Sequence, residues 1–332
     1  MTVADRPKRD LRQPVEVSRP HAFFLEDERS AAGEVVSVAT LFLVNRHCPW
    51  RCVYCDLWKN TVKETVPLGS IPGQIDFALE HPGSDETRRP TQIKLYNAGS
   101  FFDPKAVPPA DFPAIAQRVS GFERVIVECH PALVGNSALR FRDLLPGGAQ
   151  LEIAMGLEIA DDAILRKLEK RMTLAMFSRA ATFLRGNGIA LRTFVMIKPP
   201  FVENDDEALS FVERSVDFAF SCGSTAVSLI PSRFGTEELE LLAANGHFTP
   251  PGLRLIEAAF AIGLGRKRES RVFIDLWNLQ EFATCKSCLA GRRQRLVEMN
   301  LSQRTLPPHR CPTCGESPVG HRCKARSGCD GN

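Results

Sequence analysis

Seven short apolar segments, separated by patterns typical of amphipathic helices, constrain the fold of this chain more than any other feature. The segments cover residues 36–44, 92–96, 124–129, 150–158, 190–197, 225–230 and 271–276. Near-continuous apolar runs of this length, alternating with helices, predict parallel strands whose two faces are both covered.

Helical patterns fill the intervals between these segments. They cover residues 70–79, 109–119, 136–144, 161–168, 173–185, 204–220 and 250–262. Six strand–helix units close most of a barrel, and the last apolar segment can supply a seventh strand. We therefore expect an α/β chain with a partial or near-complete (βα) barrel of the TIM type. In such barrels the chemistry lies on the loops that leave the C-terminal ends of the strands.

Three cysteines follow the first predicted strand directly. Cys48, Cys52 and Cys55 have the spacing Cys-x3-Cys-x2-Cys in the stretch Asn-Arg-His-Cys-Pro-Trp-Arg-Cys-Val-Tyr-Cys-Asp. Three thiolates on one loop can hold three irons of a [4Fe–4S] cube and leave the fourth iron open, whereas an electron-transfer ferredoxin normally supplies four cysteines. The alternatives are a zinc knuckle or chance clustering, and the position of the loop after a strand argues against both.

This spacing, with the aromatic Tyr54 directly before the last cysteine, resembles the signature of the radical S-adenosylmethionine (radical SAM) superfamily. The resemblance implies that SAM chelates the open iron beside Tyr54. It also implies that an electron from the cluster cleaves SAM to methionine and a 5′-deoxyadenosyl radical, which abstracts hydrogen from the substrate. A low-potential flavodoxin or ferredoxin is then expected as the electron donor.

Small and polar residues follow the second predicted strand, namely Asn97, Ala98, Gly99 and Ser100. Small residues let the backbone approach a ligand, and the Asn97 and Ser100 side chains or nearby carbonyls can hold an ammonium group. Radical SAM proteins often carry a Gly-Gly-Glu-type motif here that binds the amino group of SAM. This segment looks like a variant without the Glu, and a plain Asn-Ala-Gly turn is the alternative.

Carboxylates end two further predicted strands. Glu158 closes the fourth segment, where an unpaired buried charge is costly, so ribose hydroxyls or an amine are expected as its partners. The alternative for Glu158 is a charge that complements the dipole of the next helix. The resemblance places Glu128, at the end of the third strand, and Ile197, at the end of the fifth, next to SAM. Glu128 is equally compatible with a structural role.

Longer stretches narrow the resemblance within the superfamily. The fourth segment ends in Gly-x-Glu, with Glu158 as the Glu, and Leu-x-x-Leu-x-x-Arg-x-Thr follows. This combination resembles the motifs of one branch of the superfamily, which holds the Elongator catalytic subunit, the tRNA methylthiotransferases and the nitrogenase-cofactor maturase. In that branch the counterpart of Glu158 lies by the SAM ribose. The runs that begin at Leu95, Phe194 and Ser228 look most like the radical subunit of archaeosine synthase, whose group acts on a modified guanine in tRNA. The resemblance covers about residues 36–315 and implies tRNA or nucleoside modification, of lyase or transferase type.

A second cysteine set lies near the C-terminus. Cys285-Lys-Ser-Cys288 and Cys311-Pro-Thr-Cys314 are two knuckles that can supply four tetrahedral thiolates, typical of zinc ribbons. We favour structural zinc here over an auxiliary iron–sulfur cluster. Four further potential ligands are left unassigned: His309, His321, Cys323 and Cys329.

Positive charge is concentrated in the same region. Residues 266–332 hold thirteen Lys or Arg and six acidic residues, a balance of +7 in a chain whose formal net charge is +3. Arg292, Arg293 and Arg295 lie between the two knuckles. We expect this region to bind nucleic acid, tRNA in particular, through phosphate contacts. The alternative is a solvated helix face.

Composition sets the domain boundaries and the compartment. Residues 1–35 are predicted to be a flexible leader, 36–280 the barrel and 281–332 a Cys-rich, basic, zinc-ribbon-like appendage. The start of the chain has no apolar h-region, and no window approaches the ~18 apolar residues of a membrane span. Cysteines grouped in short clusters indicate a reducing, cytoplasmic compartment with no membrane partner.

Two other functions are compatible with these residues. One is a radical SAM enzyme that acts on a small molecule or a peptide. The other is a non-catalytic, metal-bound RNA-binding protein that has kept the barrel. Detection of 5′-deoxyadenosine separates the enzymes from the binding protein.

Overall fold

The structure, a computed structural model, describes residues 12–81, 89–267 and 269–314. Within these residues, eight strands form one sheet in the order of the chain, and they are parallel except for the antiparallel first pair. The strands are β1 Ala22–Arg29, β2 Val35–Leu43, β3 Gln92–Asn97, β4 Arg124–Glu128, β5 Gln150–Glu158, β6 Ala190–Ile197, β7 Ala226–Pro231 and β8 Arg271–Ile274.

Helices connect the parallel strands, and one more helix follows β8. They are α1 Ser70–Glu80, α2 Phe112–Arg118, α3 Asn136–Leu144, α4 Asp162–Lys167, α5 Leu174–Gly186, α6 Asp205–Ser221, α7 Glu237–Ala244, α8 Leu253–Arg266 and α9 Lys286–Ser302. Four of them begin at a side chain that accepts a hydrogen bond from a backbone N–H of the first turn, which fixes where the helix starts. These caps are Asp161, Thr173, Asn204 and Thr236.

Alternate residues of the strands separate an outer apolar core from the barrel interior. The outward-facing residues are buried with the helices in one hydrophobic cluster. Inward-facing residues include Lys94, Glu152 and Arg192, which meet other charged side chains inside the sheet. The rings of Tyr96 in β3 and Phe194 in β6 lie 5.9 Å apart although these strands are not neighbours. The sheet is therefore curved around its interior, as a partial barrel requires.

The predicted α/β barrel is confirmed, and each predicted strand matches an observed one to within two residues at either end. Two elements were missed, the strand β1 and the helix α7. Strand β1 corrects the prediction that residues 1–35 are a flexible leader, because residues 22–29 pair with β2 over their whole length. Its sequence is half charged, so local periodicity does not identify it as a strand.

The free edge of β8 is covered by the last helix. The side-chain amide of Asn300 bonds to both the N–H and the C=O of Ile274, with each distance 2.9 Å. Gln303 bonds in the same way to both backbone groups of Val272, at 2.8 Å. These amides satisfy backbone groups that an edge strand otherwise exposes, so α9 takes the place of a neighbouring strand.

None of the helices in the described part of the chain combines the length and the apolar character needed to cross a membrane.

Candidate active site and metal centres

The three-cysteine loop, Cys48 to Cys55, leaves the C-terminal end of β2 at the mouth of the barrel. Cys52 is buried, and Cys48 and Cys55 are half-buried. Burial raises the pKa of Cys48 to about 11 and that of Cys55 to about 12. Without a cation, thiolates are disfavoured in this environment, and metal coordination is what would stabilise them.

Contacts from several elements hold this loop in place. The Val53 N–H donates to the Leu168 carbonyl at 3.1 Å, and the Val53 carbonyl accepts from the Thr236 hydroxyl at 2.9 Å. The Trp50 ring stacks on His130, with centroids 3.9 Å apart. The loop is thus fixed by β4, α4 and the segment after β7, and its conformation is set by the fold.

The residues after β3 pack directly against the first cysteine. Gly99 has φ +123°, and a Cβ there would lie 3.1 Å from the Cys48 Cβ, so only glycine fits without displacing the loop. The Ser100 hydroxyl accepts from the His130 N–H at 2.7 Å, which gives Ser100 a structural role. Ala98 is buried beside it. The structure therefore places this segment next to the cysteines, as predicted.

Asn97 has an unusual environment. It is 3% exposed, and neither its side-chain oxygen nor its side-chain nitrogen has a hydrogen-bond partner among the described residues. Buried amides without partners are rare and costly. A polar ligand at the barrel mouth would supply the missing bonds.

Glu158 is part of a buried ion pair. Lys170 Nζ lies 2.5 Å from Glu158 Oε1 and donates to the Tyr54 hydroxyl at 3.3 Å. Glu158 has φ +64° at an irregularity of β5, and a Cβ at Gly156 would overlap its carboxylate. Asp161 caps α4, and the partner that the structure gives Glu158 is Lys170, a charged amine of the kind expected from the sequence.

Lys170 was not singled out from the sequence. Burial alone lowers a lysine pKa, but Glu158 and the nearby cysteines raise the pKa of Lys170 above its usual value. The residue is therefore a fixed positive charge beside the three-cysteine loop. A lysine in a charged stretch gives no sequence signal for such a position, since it is normally solvated.

Glu128 and Ile197 differ in what they can contact. Glu128 is half-buried at the end of β4 and accepts the Asn97 N–H at 3.4 Å, and burial raises the pKa of Glu128 to about 8. Ile197 is fully buried in the outer core, and its carbonyl accepts the Ser232 N–H. The Ile197 side chain thus packs behind the sheet, and its place next to SAM stays a prediction.

A charged floor closes the barrel below this site. Arg192 binds Glu28 through two nitrogens, at 2.5 and 3.0 Å, and Glu152 at 2.6 Å. Lys94 lies 2.6 Å from Glu28. Burial raises a carboxyl pKa, but Arg192 and Lys94 hold the pKa of Glu28 well below its usual range. These charges lie near the starts of the parallel strands, away from the cysteines, and their role is structural.

The four-cysteine site, formed by Cys285, Cys288, Cys311 and Cys314, lies at the N-terminal end of α9. Its sulfur atoms all lie within 4.8 Å of one another, and the first and third are 3.9 Å apart. Backbone N–H groups of the knuckles lower the pKa of Cys311 to about 6. This arrangement fits one tetrahedral metal ion with thiolate ligands.

Of the four unassigned potential ligands near the C-terminus, the structure describes only His309. His309 packs over Gly291 of α9, where a Cβ would lie 2.9 Å from its Nδ1. His321, Cys323 and Cys329 lie outside the described residues. Within those residues, Cys48, Cys52 and Cys55 do not form a second group of this compactness.

The three arginines of α9 have different environments. Arg292 is 5% exposed and lies 2.7 Å from Glu257 of α8. Arg295 donates to the Leu306 carbonyl at 2.6 Å and also lies near Glu257. Arg293 is exposed. The first two therefore anchor α9 and the chain after it, and of the three only Arg293 is presented to solvent.

Comparison with known proteins agrees with this architecture. No family model matches the chain. It is 26% identical over 230 residues to archaeosine synthase subunit beta of Methanosarcina acetivorans, an alignment that covers 67% of this chain and 65% of that protein. It is also 26% identical to the protein of the same name from Thermococcus kodakarensis, over 47% of this chain and 48% of that one.

The chain has homologues named archaeosine synthase subunit beta. It spans about 65% of the length of the Methanosarcina relative. Among solved structures, methylornithine synthase (PylB) superposes with a TM-score of 0.51 at 13% identity, over 80% of this chain and 70% of that one. At that identity the likeness concerns the fold alone, and it agrees with the predicted partial barrel.

Proposed function

We propose that this chain is a radical SAM enzyme that acts in tRNA modification. One observation carries the proposal. The three-cysteine loop lies against Gly99, two residues after Asn97, whose buried amide lacks hydrogen-bond partners within the described residues. A site for a metal cluster and a site for a polar ligand are therefore adjacent at the barrel mouth. The homologues named archaeosine synthase subunit beta support the assignment to tRNA.

The donor set fits the cofactors. Cys48, Cys52 and Cys55 would hold a [4Fe–4S] cluster through three irons. When bound, that cluster supplies the electron that cleaves SAM to methionine and a 5′-deoxyadenosyl radical. The Gly99 backbone leaves room for a ligand beside Cys48, and the Asn97 amide oxygen can accept from the ammonium group of SAM.

Charged residues complete the proposed SAM pocket. The Glu158–Lys170 pair, with Tyr54, lies beside the cysteines, where it can orient the ribose hydroxyls. Glu128 faces the same region from β4. A flavodoxin or ferredoxin is the proposed electron donor, and zinc is the proposed ion of the four-cysteine site, since four convergent thiolates form a closed structural zinc site.

The test is anaerobic reconstitution with iron and sulfide, followed by SAM and dithionite. We expect iron uptake with the absorption of a [4Fe–4S] cluster, and formation of 5′-deoxyadenosine. Mass spectrometry of tRNA nucleosides from cells with and without the protein then identifies the modified base. Failure of the reconstituted protein to cleave SAM contradicts the enzyme assignment.

The alternative is a small-molecule or peptide substrate, as expected for some enzymes on the same barrel. SAM cleavage without any change in the tRNA nucleosides supports this alternative. The non-catalytic RNA-binding alternative predicts RNA binding without 5′-deoxyadenosine.

A further inference from the structure

The barrel interior above the charged floor is not filled. Inward-facing residues of several strands stay partly exposed although their strand neighbours are fully buried. They are Phe42, Tyr96, Glu128, Phe194, Ser228 and Ile230. Since these residues point into the barrel, their partial exposure means that solvent reaches the interior between the floor and the mouth, and we call this open space the cavity.

One side of this cavity is aromatic. We define the aromatic wall as Phe24, Phe42, Tyr96, Phe194 and Trp277. Neighbouring ring centroids in this set lie between 5.7 and 6.4 Å apart, from strands β1, β2, β3 and β6 and the segment after β8. Tyr96 directly precedes Asn97, so the wall begins next to the proposed SAM pocket.

Trp277 has the most accessible ring of the wall. It is 51% exposed and lies 5.7 Å from Phe24 and 6.4 Å from Phe42, across the seam between β8 and the first two strands. Packing into the core does not explain why a tryptophan stands at this position, since half of its surface remains exposed to water. A large flat ring at the rim of a cavity is suited to stack on a flat ligand.

Polar groups next to the wall are few and specific. Asp275, two residues before Trp277, lies 2.7 Å from Arg233 in a half-exposed ion pair. Glu26 is paired with Lys94 but its side chain is 37% exposed. A cavity with aromatic surfaces and a few carboxylates favours a planar ligand with exocyclic donors over an aliphatic one.

We propose that the aromatic wall is the substrate pocket and that it binds a nucleobase by stacking on Trp277. This inference rests on the proposed function and adds to it the residues that recognise the base. Tyr96, at the other end of the wall, directly precedes Asn97 and the residues that follow β3, so the wall borders the proposed SAM pocket. The wall depends on β1, the strand that sequence patterns did not identify.

The experiment measures binding of guanosine 5′-monophosphate by equilibrium dialysis, with the reconstituted protein, saturating SAM and no reductant. SAM occupies its own pocket, so the nucleotide reports on the remaining cavity. Ribose 5-phosphate tests whether the base is required, and free tryptophan tests for an aromatic ligand without a nucleotide. We expect measurable binding of guanosine 5′-monophosphate and at least roughly tenfold weaker binding of the other two.

Two substitutions test the stacking residue. Trp277→Ala should weaken nucleotide binding by roughly tenfold, whereas Trp277→Phe should keep most of it because a stacking ring remains. Leu144→Ala, at a comparably exposed apolar residue on α3, is the matched control and should bind as the wild type does. Circular dichroism melting of each variant verifies folding.

The proposal is overturned if SAM-loaded wild-type protein does not bind the nucleotide. It is also overturned if Trp277→Ala binds it as tightly as the wild type, or if tryptophan or ribose 5-phosphate binds as well as the nucleotide. Because no SAM is cleaved in this assay, these results are independent of the 5′-deoxyadenosine assay. A protein that cleaves SAM but fails the dialysis test retains the proposed function and loses only the assigned pocket.

Discussion

The three-cysteine loop and the four-cysteine site differ in how they are held and in what they leave open. In the four-cysteine site the sulfurs converge within 4.8 Å, so the ligands of one metal ion are complete. In the three-cysteine loop, the fold holds buried thiols in place through hydrogen bonds and ring stacking from other elements. On the proposed function, the first arrangement would close a structural site, whereas the second would leave a position for a reactant.

The polar groups around the two sites also differ in whether the protein supplies their partners. Next to the three-cysteine loop lie Asn97, whose buried amide has no protein partner within the described residues, and Glu128, whose pKa burial raises. Next to the four-cysteine site, Arg292 and Arg295 are engaged with Glu257 and with backbone carbonyls. An unpartnered amide and a carboxyl with a raised pKa beside the first site indicate ligand binding. The engaged arginines beside the second site indicate structural support.

The largest expected effect tests whether the two proposed metal sites are independent. Replacing Cys48, Cys52 and Cys55 together with Ala should abolish iron uptake and 5′-deoxyadenosine formation but leave the zinc content unchanged, since the other thiols are independent. Elemental analysis and mass spectrometry measure both. Retention of SAM cleavage by this variant would show that the cluster is bound elsewhere.

The converse substitution sharpens the comparison. Cys285→Ser combined with Cys311→Ser should remove zinc and keep the iron–sulfur cluster. The melting temperature should fall by at least about 4 °C, or ~1–2 kcal/mol, because α9 carries the amides that cover the edge of β8. Cys222→Ser, at an isolated half-buried cysteine, is the control. Loss of iron from the double variant contradicts the division of roles.

Asn97 offers a test of ligand binding that is separate from folding. Asn97→Leu should weaken SAM binding roughly tenfold or more, since a hydrogen bond to a charged group is lost. Its melting temperature should stay level or rise, because an unpartnered buried amide is replaced by an apolar group. Ser100→Ala should instead lower the melting temperature, as the His130 N–H loses its acceptor. If Asn97→Leu binds SAM normally, the amide has another role.

Glu128 predicts a pH dependence of stability. Its pKa in the folded protein is about 8, raised by burial from 4.5, so the folded state holds a proton that the unfolded state releases. Its stabilising contribution is full below about pH 4.5 and is lost as the pH rises through 8. Before SAM is added, the stability of Glu128→Gln relative to the wild type should therefore increase as the pH rises from about 4.5 to 8. Above pH 8 this difference in stability should stay constant. Parallel melting curves at each pH measure the difference, and a constant difference rejects the raised pKa.

The smallest expected effects concern α9 and nucleic acid. Arg293→Ala should weaken tRNA binding modestly, with no change in melting temperature. The slope of the logarithm of the binding constant against the logarithm of the salt concentration should fall by about one. Arg292→Ala should lower the melting temperature, since Glu257 is left buried without its closest partner. Filter binding over a range of salt concentrations measures the first effect. Unchanged tRNA affinity of Arg293→Ala removes this helix from the proposed interface.

Much of the candidate site could be predicted because its parts are local in sequence. The three cysteines and the small residues after β3 each follow a strand that apolar runs identify, and strand ends meet at one edge of a parallel sheet. The four-cysteine site was predicted from the spacing within its two knuckles. Such spacing constrains geometry directly, since residues in one short turn cannot lie far apart.

Other features depend on residues far apart in the chain. Glu28 and Arg192, 164 positions apart, form the charged floor, and their pairing ties β1 to β6 across the barrel interior. Trp277 meets Phe24 across the seam, and Lys170 meets Glu158 at the point where β5 is irregular. The sequence alone determined the order of the strands and the positions of the thiols. The tertiary structure decided which polar groups were paired and which remained open to a ligand, because distant side chains find each other only when the barrel closes.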